Sequence, residues 1–288
     1  MHGSSMLSYR HAFHAGNFAD VLKHLVLTGT LRHATQKAAP LFYLDTHAGA
    51  GVYRLDAVEA QRTGEASAGI LRLDLDALAA QCDAAGAALL ADYRALLAPL
   101  LAQGRYPGSP LVAANLLRAQ DHLHLCELHS TDIALLQKSM RGDRRVRVER
   151  TDGFQRASAL LPPVQKRAVV LIDPSYEIKQ DYRTVVRTLF AIVERMPSAQ
   201  VLLWYPVVER GEVARLLAAV RHGPLRDLWQ VELGLRPDAA GAGMSASGLI
   251  LLNPPWTLPD ALRQALPALQ QALAPKDGFW RLERLRDE

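Results

Sequence analysis

The sequence predicts an α/β fold built on a mostly parallel, doubly wound sheet. Seven short apolar runs are bounded by turn residues, a pattern typical of buried strands. Helical patterns separate most of these runs, for example Asp20 to His33 before the first and Tyr182 to Met196 after the fourth. Strands that alternate with helices favour parallel pairing. The predicted strands are Leu41–Leu44, Leu123–Cys126, Val146–Val148, Ala168–Ile172, Val201–Trp204, Leu228–Leu233 and Leu249–Leu252.

The composition is that of a globular protein. Of the 288 residues, 49% are hydrophobic and 22% are charged, which excludes a disordered or collagen-like chain and provides enough apolar residues for a sizeable core. The net charge is +4, and 27 of the 33 cationic residues are arginines, which is a weak indication of nucleic-acid binding. Charged or polar residues soon interrupt the apolar runs, so we expect no membrane-spanning segment.

The chain divides into a short leading segment and one domain. Residues 1–5 have the character of a vector remnant or an upstream start, and we expect residues 6–288 to form a single domain. Residues from about 53 to 105 are rich in Ala and Leu at helical spacing, which predicts a helical insertion after the first glycine-rich turn. Cys82 and Cys126 form no metal or disulfide pattern, which favours a reducing cytoplasm.

The first predicted strand ends in an acid and a Gly-x-Gly turn. Asp45 ends the strand, and Gly49 and Gly51 leave room for a ligand to approach the backbone. A dinucleotide-binding turn needs a third glycine, but Arg54 occupies that position. An acid directly before the turn suits a ligand with an ammonium group, such as S-adenosyl-L-methionine (AdoMet). A purely structural turn is the alternative.

Two further strands end in carboxylates. Glu127 follows the second strand, 76 residues after Gly51, and its two oxygens suit the two hydroxyls of a ribose. Asp152 follows the third strand and can accept the adenine amino group of a cofactor, while Gly153 leaves room for the ring. Taken singly, Glu127 also fits a surface acid and Asp152-Gly153 a plain turn.

The fourth strand is followed by Asp173, Pro174, Ser175 and Tyr176, which are expected at the edge where open α/β sheets bind ligands. The N6 lone pair of adenine is delocalised into the ring, so methylating it requires acceptors that draw the amine towards tetrahedral geometry. Asp173 and the Pro174 carbonyl are predicted to be those acceptors, and Tyr176 offers a ring on which the base can stack. The amine attacks the methyl group directly, so no nucleophilic side chain is needed.

A second motif competes with this assignment. Asn253-Pro254-Pro255-Trp256 also follows an apolar strand and ends in an aromatic residue. The order of the strands favours Asp173, and we expect Asn253 to form a turn at the last hairpin.

The amino-terminal segment combines aromatic and titratable groups ahead of a helix predicted to be amphipathic. This segment, which contains Tyr9, His11 and Lys23, precedes the first core strand and can therefore fold across the mouth of the site. A solvent-exposed Lys23 is the alternative. Four histidines lie between residues 9 and 33, but they lack a Cys pair or an HExxH spacing, so we expect no metal.

The chain resembles the RlmJ family of bacterial large-subunit (23S) ribosomal RNA adenine-N6 methyltransferases from Met6 to at least Trp256. The amino-terminal block and its position before the glycine turn are the most specific part of the resemblance. The segments that carry it are MLSYRHAFHAGNFADVLKH, LDTHAGAG, YPGSPL, ERTDGF, LIDPSY, LWYPVV and SGLILLNPPW.

This resemblance implies a Rossmann-like, AdoMet-dependent methyltransferase that acts on one adenine of 23S ribosomal RNA without a metal. It implies that Asp173 lies at the catalytic centre and that Tyr9, His11 and Lys23 lie near the substrate. The residues that it implies around AdoMet are His24, His47, Ser109, Glu127, Asp152 and Gly153. We further expect a cytoplasmic monomer.

One position departs from the family pattern. The family has Asp-Pro-Pro-Tyr, whereas this chain has Ser175 in place of the second Pro, which loosens the turn and predicts slower chemistry. The same turn also suits DNA adenine or protein glutamine, so methylation of either polymer is an alternative. A non-catalytic nucleic-acid-binding protein on the same fold is another.

Overall fold

The seven predicted strands are all present, and an eighth joins them at one edge of the sheet. The computed structural model describes residues 11–238 and 243–287. The strands are β1 (Phe42–Asp45), β2 (Val52–Arg54), β3 (Arg105–Pro107), β4 (His122–Cys126), β5 (Val146–Glu149), β6 (Ala168–Ile172), β7 (Gln200–Val207), β8 (Leu228–Gly234), β9 (Ala246–Leu252) and β10 (Phe279–Arg286). Strand β10 was not predicted from the sequence because half of its residues are charged. An edge strand tolerates such charged side chains.

Helices cover both faces of the sheet. They are α1 (Phe18–Ala34), α2 (Val58–Thr63), α3 (Glu65–Ala68), α4 (Leu75–Ala79), α5 (Ala84–Leu101), α6 (Ser109–Leu116), α7 (Ser130–Ser139), α8 (Gly153–Ala159), α9 (Asp181–Arg195), α10 (Arg210–His222) and α11 (Leu258–Leu273). One apolar core lies beneath α1, α5, α6 and α11, and a second lies beneath α8, α9 and α10. The fold is therefore α/β and doubly wound, as the sequence predicts.

The sheet order is β10-β8-β9-β7-β6-β1-β4-β5. Strands β7, β6, β1, β4 and β5 pair in parallel, so their carboxyl ends share one edge, named here the carboxyl edge. Strand β9 is antiparallel to β7, and its carboxyl end lies at the opposite edge. This direction decides where the motif after β9 can act.

Helices α2 to α5 form the predicted helical insertion, and the short strands β2 and β3 pair at its base. These strands have only three residues each, too few for an alternating pattern to be recognised. The insertion packs on the start of α1, where the Ile70 amide donates to the Gly16 carbonyl at 2.9 Å. A Cβ at Gly69 would lie 2.2 Å from that carbonyl oxygen, so only glycine permits this approach.

Helix α5 is long and apolar enough, by length and composition, to cross a membrane, and it is the one such helix in the described ranges. Asp92 and Arg94 interrupt its apolar sequence, which is why the sequence indicates no such segment. Core helices of soluble proteins pass the same test. The buried side chains of α5 belong to the first core, and the helix packs against α1, α4 and α11.

Helix α1 is a core element. The Asn17 side chain caps it by accepting from the Asp20 amide at 2.9 Å, and 14 of its 17 residues are buried. The expected amphipathic pattern is therefore wrong, because α1 is covered by α5, α6, α11 and β9. The segment expected to fold across the mouth of the site includes residues before His11, which lie outside the described ranges.

Candidate functional site

A cavity of about 760 Å³ opens at the carboxyl edge, a volume within the usual range for small-molecule sites. Tyr9 lies outside the described residues. Asp45 and Gly51 do not line this cavity. The predicted site residues that line it are His11, Lys23, His24, His47, Gly49, Ser109, Glu127, Asp152, Gly153, Asp173, Pro174 and Tyr176. The cavity is lined from α1 and from the segments after β1, β3, β4, β5 and β6.

Glu127 joins two of the turns that form the cavity wall. Its Oε2 accepts from the Gly49 amide and its Oε1 from the His129 amide, both at 2.7 Å. Gly49 has a φ of 60°, which favours glycine. Burial raises the pKa of Glu127, and the two backbone donors oppose that rise. Each carboxylate oxygen has two lone-pair sites, so Glu127 retains capacity to accept from a ligand.

His47 and Gly153 pack the turn after β5 onto the turn after β1. The His47 ring lies 4.6 Å from that of Phe154, and burial lowers its pKa to about 3, so the imidazole is neutral. A Cβ at Gly153 would lie 1.9 Å from the Thr46 carbonyl oxygen. Gly153 is thus required by this backbone approach, a reason that differs from the expected room for a ring.

Asp152 lies at the start of α8. Its Oδ1 accepts from the Phe154 amide at 2.9 Å, which makes it the N-cap residue of the helix. The plain-turn alternative is thus partly correct, because Asp152 has a structural role while it also lines the cavity.

Lys23 bridges two carboxylates inside the protein. Its Nζ lies 2.6 Å from Asp173 Oδ2 and 3.0 Å from Asp20 Oδ1, and only 4% of the residue is exposed. The alternative of a solvent-exposed lysine is therefore wrong. Burial raises the pKa of Asp173, and the ammonium group of Lys23 opposes that rise. The first helix is thereby tied to the turn after β6.

Asp20 is a site residue that the sequence analysis missed. Its Oδ2 accepts from His11 Nε2 and from the Gly16 amide, each at 2.9 Å, and 1% of the residue is exposed. Burial alone would raise its pKa, but the charges of His11 and Lys23 lower it well below the usual value. The signal available in the sequence was an acid three residues before a lysine on an otherwise apolar helix.

Two further aromatic rings pack against Tyr176, which follows Asp173 by three residues. The Tyr176 hydroxyl donates to the Trp204 carbonyl at 2.7 Å, and its ring lies 4.6 Å from Tyr182 and 5.9 Å from Trp204. All three line the cavity. Trp204 and Tyr182 were not predicted as site residues, because their positions in β7 and α9 are also those of ordinary core residues. The chemistry of this wall is a carboxylate beside a surface of aromatic rings.

Asn253 lies away from the cavity because β9 ends at the opposite edge of the sheet. Its side-chain amide donates to the carbonyls of Pro197 and Ala199, each at 2.8 Å, which fixes the connection between α9 and β7. Helix α11 follows it, so the expected turn at a last hairpin is wrong.

Asp45 is fully buried behind the cavity wall instead of facing a ligand. Its Oδ2 accepts from Ser109 Oγ at 2.6 Å and from the Tyr43 hydroxyl at 3.0 Å, and its Oδ1 accepts from the His47 amide at 3.3 Å. Ser109 is the first residue of α6, and Gly108 is its N-cap. Burial raises the pKa of Asp45 to about 6.

His24 leaves one polar atom at the cavity without a partner. Its Nδ1 lies 3.0 Å from the Tyr106 hydroxyl, whereas its buried Nε2 has no hydrogen-bond partner among the described residues. Burial lowers its pKa to about 3. A buried polar atom without a partner is uncommon in native proteins and is consistent with a ligand that supplies the missing bond.

Metal binding finds no support in the part of the chain that the structure describes. Among residues 11–238 and 243–287, no group of three or more His, Cys, Asp or Glu side chains is arranged to hold an ion.

A family model and two relatives of this chain are described as ribosomal RNA large subunit methyltransferases. A family model described as "Ribosomal RNA large subunit methyltransferase D, RlmJ" matches residues 38–285. "Ribosomal RNA large subunit methyltransferase J" of Escherichia coli (strain K12) is 44% identical over 274 residues, which cover 94% of this chain and 95% of that protein. The protein of the same name from Haemophilus influenzae is 42% identical over 289 residues, which cover 98% and 100%.

A solved structure agrees with this similarity. The crystal structure of a protein from Legionella pneumophila (strain Philadelphia 1) superposes with a TM-score of 0.85 at 35% identity, covering 94% of this chain and 98% of that one.

The raised pKa of Asp45 predicts a pH-dependent stability. In the folded protein this carboxyl binds a proton up to about pH 6, whereas in the unfolded chain it loses that proton near its usual pKa of 3.8. Since the folded state binds more protons in that window, the contribution of Asp45 to the free energy of unfolding falls as pH rises from about 4 to 6. We expect wild type to lose about 2–3 kcal/mol relative to Asp45→Asn between pH 4 and 7.

Urea unfolding of both proteins at pH 4, 5.5 and 7 measures this difference. A difference that stays constant over these three pH values would contradict the assignment.

Proposed function

This chain belongs to the family described as ribosomal RNA large subunit methyltransferase RlmJ, and we propose from this premise that it methylates N6 of one adenine in 23S ribosomal RNA with AdoMet. The observation that carries the proposal is that the Asp173-Pro174 turn and the two turns joined by the Gly49–Glu127 hydrogen bond line one cavity at the carboxyl edge. The Asp173-Pro174 turn suits the target amine, and the turns joined by Glu127 suit a nucleoside cofactor.

The residues of the cavity wall fit AdoMet, which when bound supplies the methyl group. Glu127 would accept from the ribose hydroxyls, and Asp152 from the adenine amino group. His24 Nε2 is buried and has no hydrogen-bond partner in the described ranges, and this is the observation in the protein itself that favours a ligand at this wall. The other residues proposed to hold the cofactor are His47, Gly49, Ser109 and Gly153.

Asp173 and Pro174 would bind the target amine. Since Asp173 Oδ2 is paired with Lys23, Oδ1 is the oxygen that accepts an N6 hydrogen, and the Pro174 carbonyl accepts the other. Both bonds draw the lone pair out of conjugation, and the carboxylate stabilises the positive charge that develops on N6. Lys23 favours the ionised carboxylate, which burial would otherwise protonate.

The aromatic wall would hold the target base. Tyr176, Trp204 and Tyr182 line the same cavity as Asp173, and stacking on such rings compensates for the stacking that a base loses when it leaves its helix or loop. His11 lies on the same side through its bond to Asp20, and Tyr9 is proposed to lie there from the sequence. We propose that the protein is a cytoplasmic monomer whose partner is 23S ribosomal RNA.

The function is tested with radiolabelled AdoMet and three acceptors from cells that lack the gene: 23S ribosomal RNA, genomic DNA and total protein. We expect label in the RNA alone, and in N6-methyladenosine after digestion to nucleosides. Asp173→Ala under the same conditions shows background labelling. Label in DNA or in glutamine would establish one of the alternative substrates, and no label in any polymer would favour the non-catalytic alternative.

Asp173→Ala and Glu127→Ala should impair different steps. Asp173→Ala is expected to lower kcat by about a hundredfold or more, with nearly unchanged AdoMet affinity, because this carboxylate is placed for the target amine. Glu127→Ala should weaken AdoMet binding by about tenfold or more, since the ribose hydroxyls lose their acceptor. Calorimetry and single-turnover rates at saturating AdoMet separate the two effects.

Activity of Asp173→Ala within about tenfold of wild type, a difference of roughly 1.4 kcal/mol in barrier, would overturn the catalytic assignment. Unchanged AdoMet affinity in Glu127→Ala would show that this acid only joins the two turns.

A further inference from the structure

A chain of three buried polar groups leads from the helical insertion to the cavity. The Tyr93 hydroxyl lies 2.9 Å from that of Tyr106, which in turn lies 3.0 Å from His24 Nδ1. None of the three residues is more than 1% exposed. The far ring nitrogen, Nε2, belongs to a side chain that lines the cavity and has no partner in the described part of the chain.

If the Tyr106 hydroxyl both accepts and donates in this chain, two arrangements of the protons remain. Burial raises the pKa of both tyrosines, so each hydroxyl keeps its single proton. In one arrangement Tyr93 donates to Tyr106, Tyr106 donates to His24 Nδ1, and the imidazole proton sits on Nε2. In the other, His24 Nδ1 donates to Tyr106, Tyr106 donates to Tyr93, and the Tyr93 proton has no acceptor among residues 11–238 and 243–287.

Each arrangement leaves one donor without an acceptor in the described part of the chain, Nε2–H in the first and the Tyr93 hydroxyl in the second, and such a buried donor costs about 1–3 kcal/mol. The first arrangement is favoured because His24 lines the cavity, where a ligand or water can accept from Nε2–H, whereas Tyr93 does not line it. His24 is neutral because burial lowers its pKa to about 3. The property that the two tyrosines control is therefore the tautomer of the imidazole and not its charge.

We propose that Tyr93 and Tyr106 are positioning residues that hold His24 in the Nε2–H tautomer, so that it presents a neutral hydrogen-bond donor to the ligand in the cavity. The ligand atom recognised is a hydrogen-bond acceptor, which in AdoMet is an oxygen or a ring nitrogen. Identifying the ligand as AdoMet rests on the proposed function, whereas the tautomer is a property of the protein alone.

The helical insertion gains a role in the site from this arrangement. Tyr93 lies in α5 and Tyr106 in β3, so the insertion and the strand that closes it both reach the back of His24. The rings of His24 and Tyr106 also stack, with centroids 5.5 Å apart, which fixes the plane of the imidazole. The insertion thus sets both the orientation and the protonation of a residue on α1.

The tautomer can be measured directly by nitrogen NMR of ligand-free, ¹⁵N-histidine-labelled protein, with the His24 signals assigned by their loss in His24→Gln. In wild type we expect a protonated Nε2 and an unprotonated Nδ1. Tyr106→Phe removes the hydroxyl that donates to Nδ1, and we therefore expect a mixture of tautomers. A proton on Nδ1 in wild type would overturn the proposal without use of any variant.

Calorimetry with AdoMet provides the second measurement. We expect AdoMet affinity to fall about tenfold in Tyr106→Phe and about threefold in Tyr93→Phe. An imidazole proton on Nδ1 must move to Nε2 before the ligand can accept a hydrogen bond from His24. Tyr205→Phe is the matched control, since this buried hydroxyl bonds Glu232 and Gln230 instead. It should leave both the His24 tautomer and AdoMet affinity unchanged. Equal losses of affinity in Tyr106→Phe and the control would show only a packing effect.

Replacement of His24 itself separates the two nitrogens. The side-chain amide of Gln reaches the position of Nε2, whereas that of Asn reaches the position of Nδ1. His24→Gln should therefore retain more AdoMet affinity than His24→Asn, and the reverse order would contradict a donor at Nε2. Absence of AdoMet binding by wild type would refute the proposed function, while the NMR result would still decide the tautomer.

Discussion

A buried bridge between the first helix and the turn after β6 is the interaction on which the site depends. Lys23 has carboxylates on both sides, Asp173 at 2.6 Å and Asp20 at 3.0 Å. Charges removed from water lose several kcal/mol of solvation each, so such groups persist only when their partners and hydrogen bonds are held in place. Asp20 meets this requirement by accepting also from His11 and the Gly16 amide.

This bridge explains why α1 is part of the core. A lysine that must reach a carboxylate at the carboxyl edge cannot sit on a mobile segment, and α1 is accordingly packed among α5, α6, α11 and β9. The insertion then covers the start of α1 through the close contact of Gly69 with Gly16. On the other side of the cavity, Glu127 joins the turns after β1 and β4, and Gly153 allows the turn after β5 to reach β1. Packing of the backbone therefore positions the cavity wall before any ligand binds.

The sequence predicted the parts of the site that follow directly from strand order. Apolar runs located the core strands, and parallel pairing places Glu127, Asp152 and Asp173 at one edge. Strand direction was the missing information for Asn253, because a motif after an antiparallel strand lies at the opposite edge. Local signals could not reveal that Asp45 is enclosed by Tyr43 and Ser109, or that Tyr93 and Tyr106 support His24. The contacts of Asp45 with Ser109 and of His24 with Tyr106 join residues distant in the chain, and only the assembled core brings them together.

The bridge itself is measured most directly by a double-mutant cycle of Lys23→Met and Asp173→Asn, with the free energy of unfolding obtained from urea titration at pH 7. Lys23→Met should destabilise the protein by about 3 kcal/mol, because it leaves the buried Asp173 carboxylate without its cation. Asp173→Asn should destabilise it by less, because Lys23 keeps Asp20 as a partner. The double variant should lose at least about 1 kcal/mol less than the two single losses combined. If the loss in the double variant equals the sum of the two single losses to within about 0.5 kcal/mol, the two residues are not coupled. That result would also contradict the role of α1 in positioning Asp173.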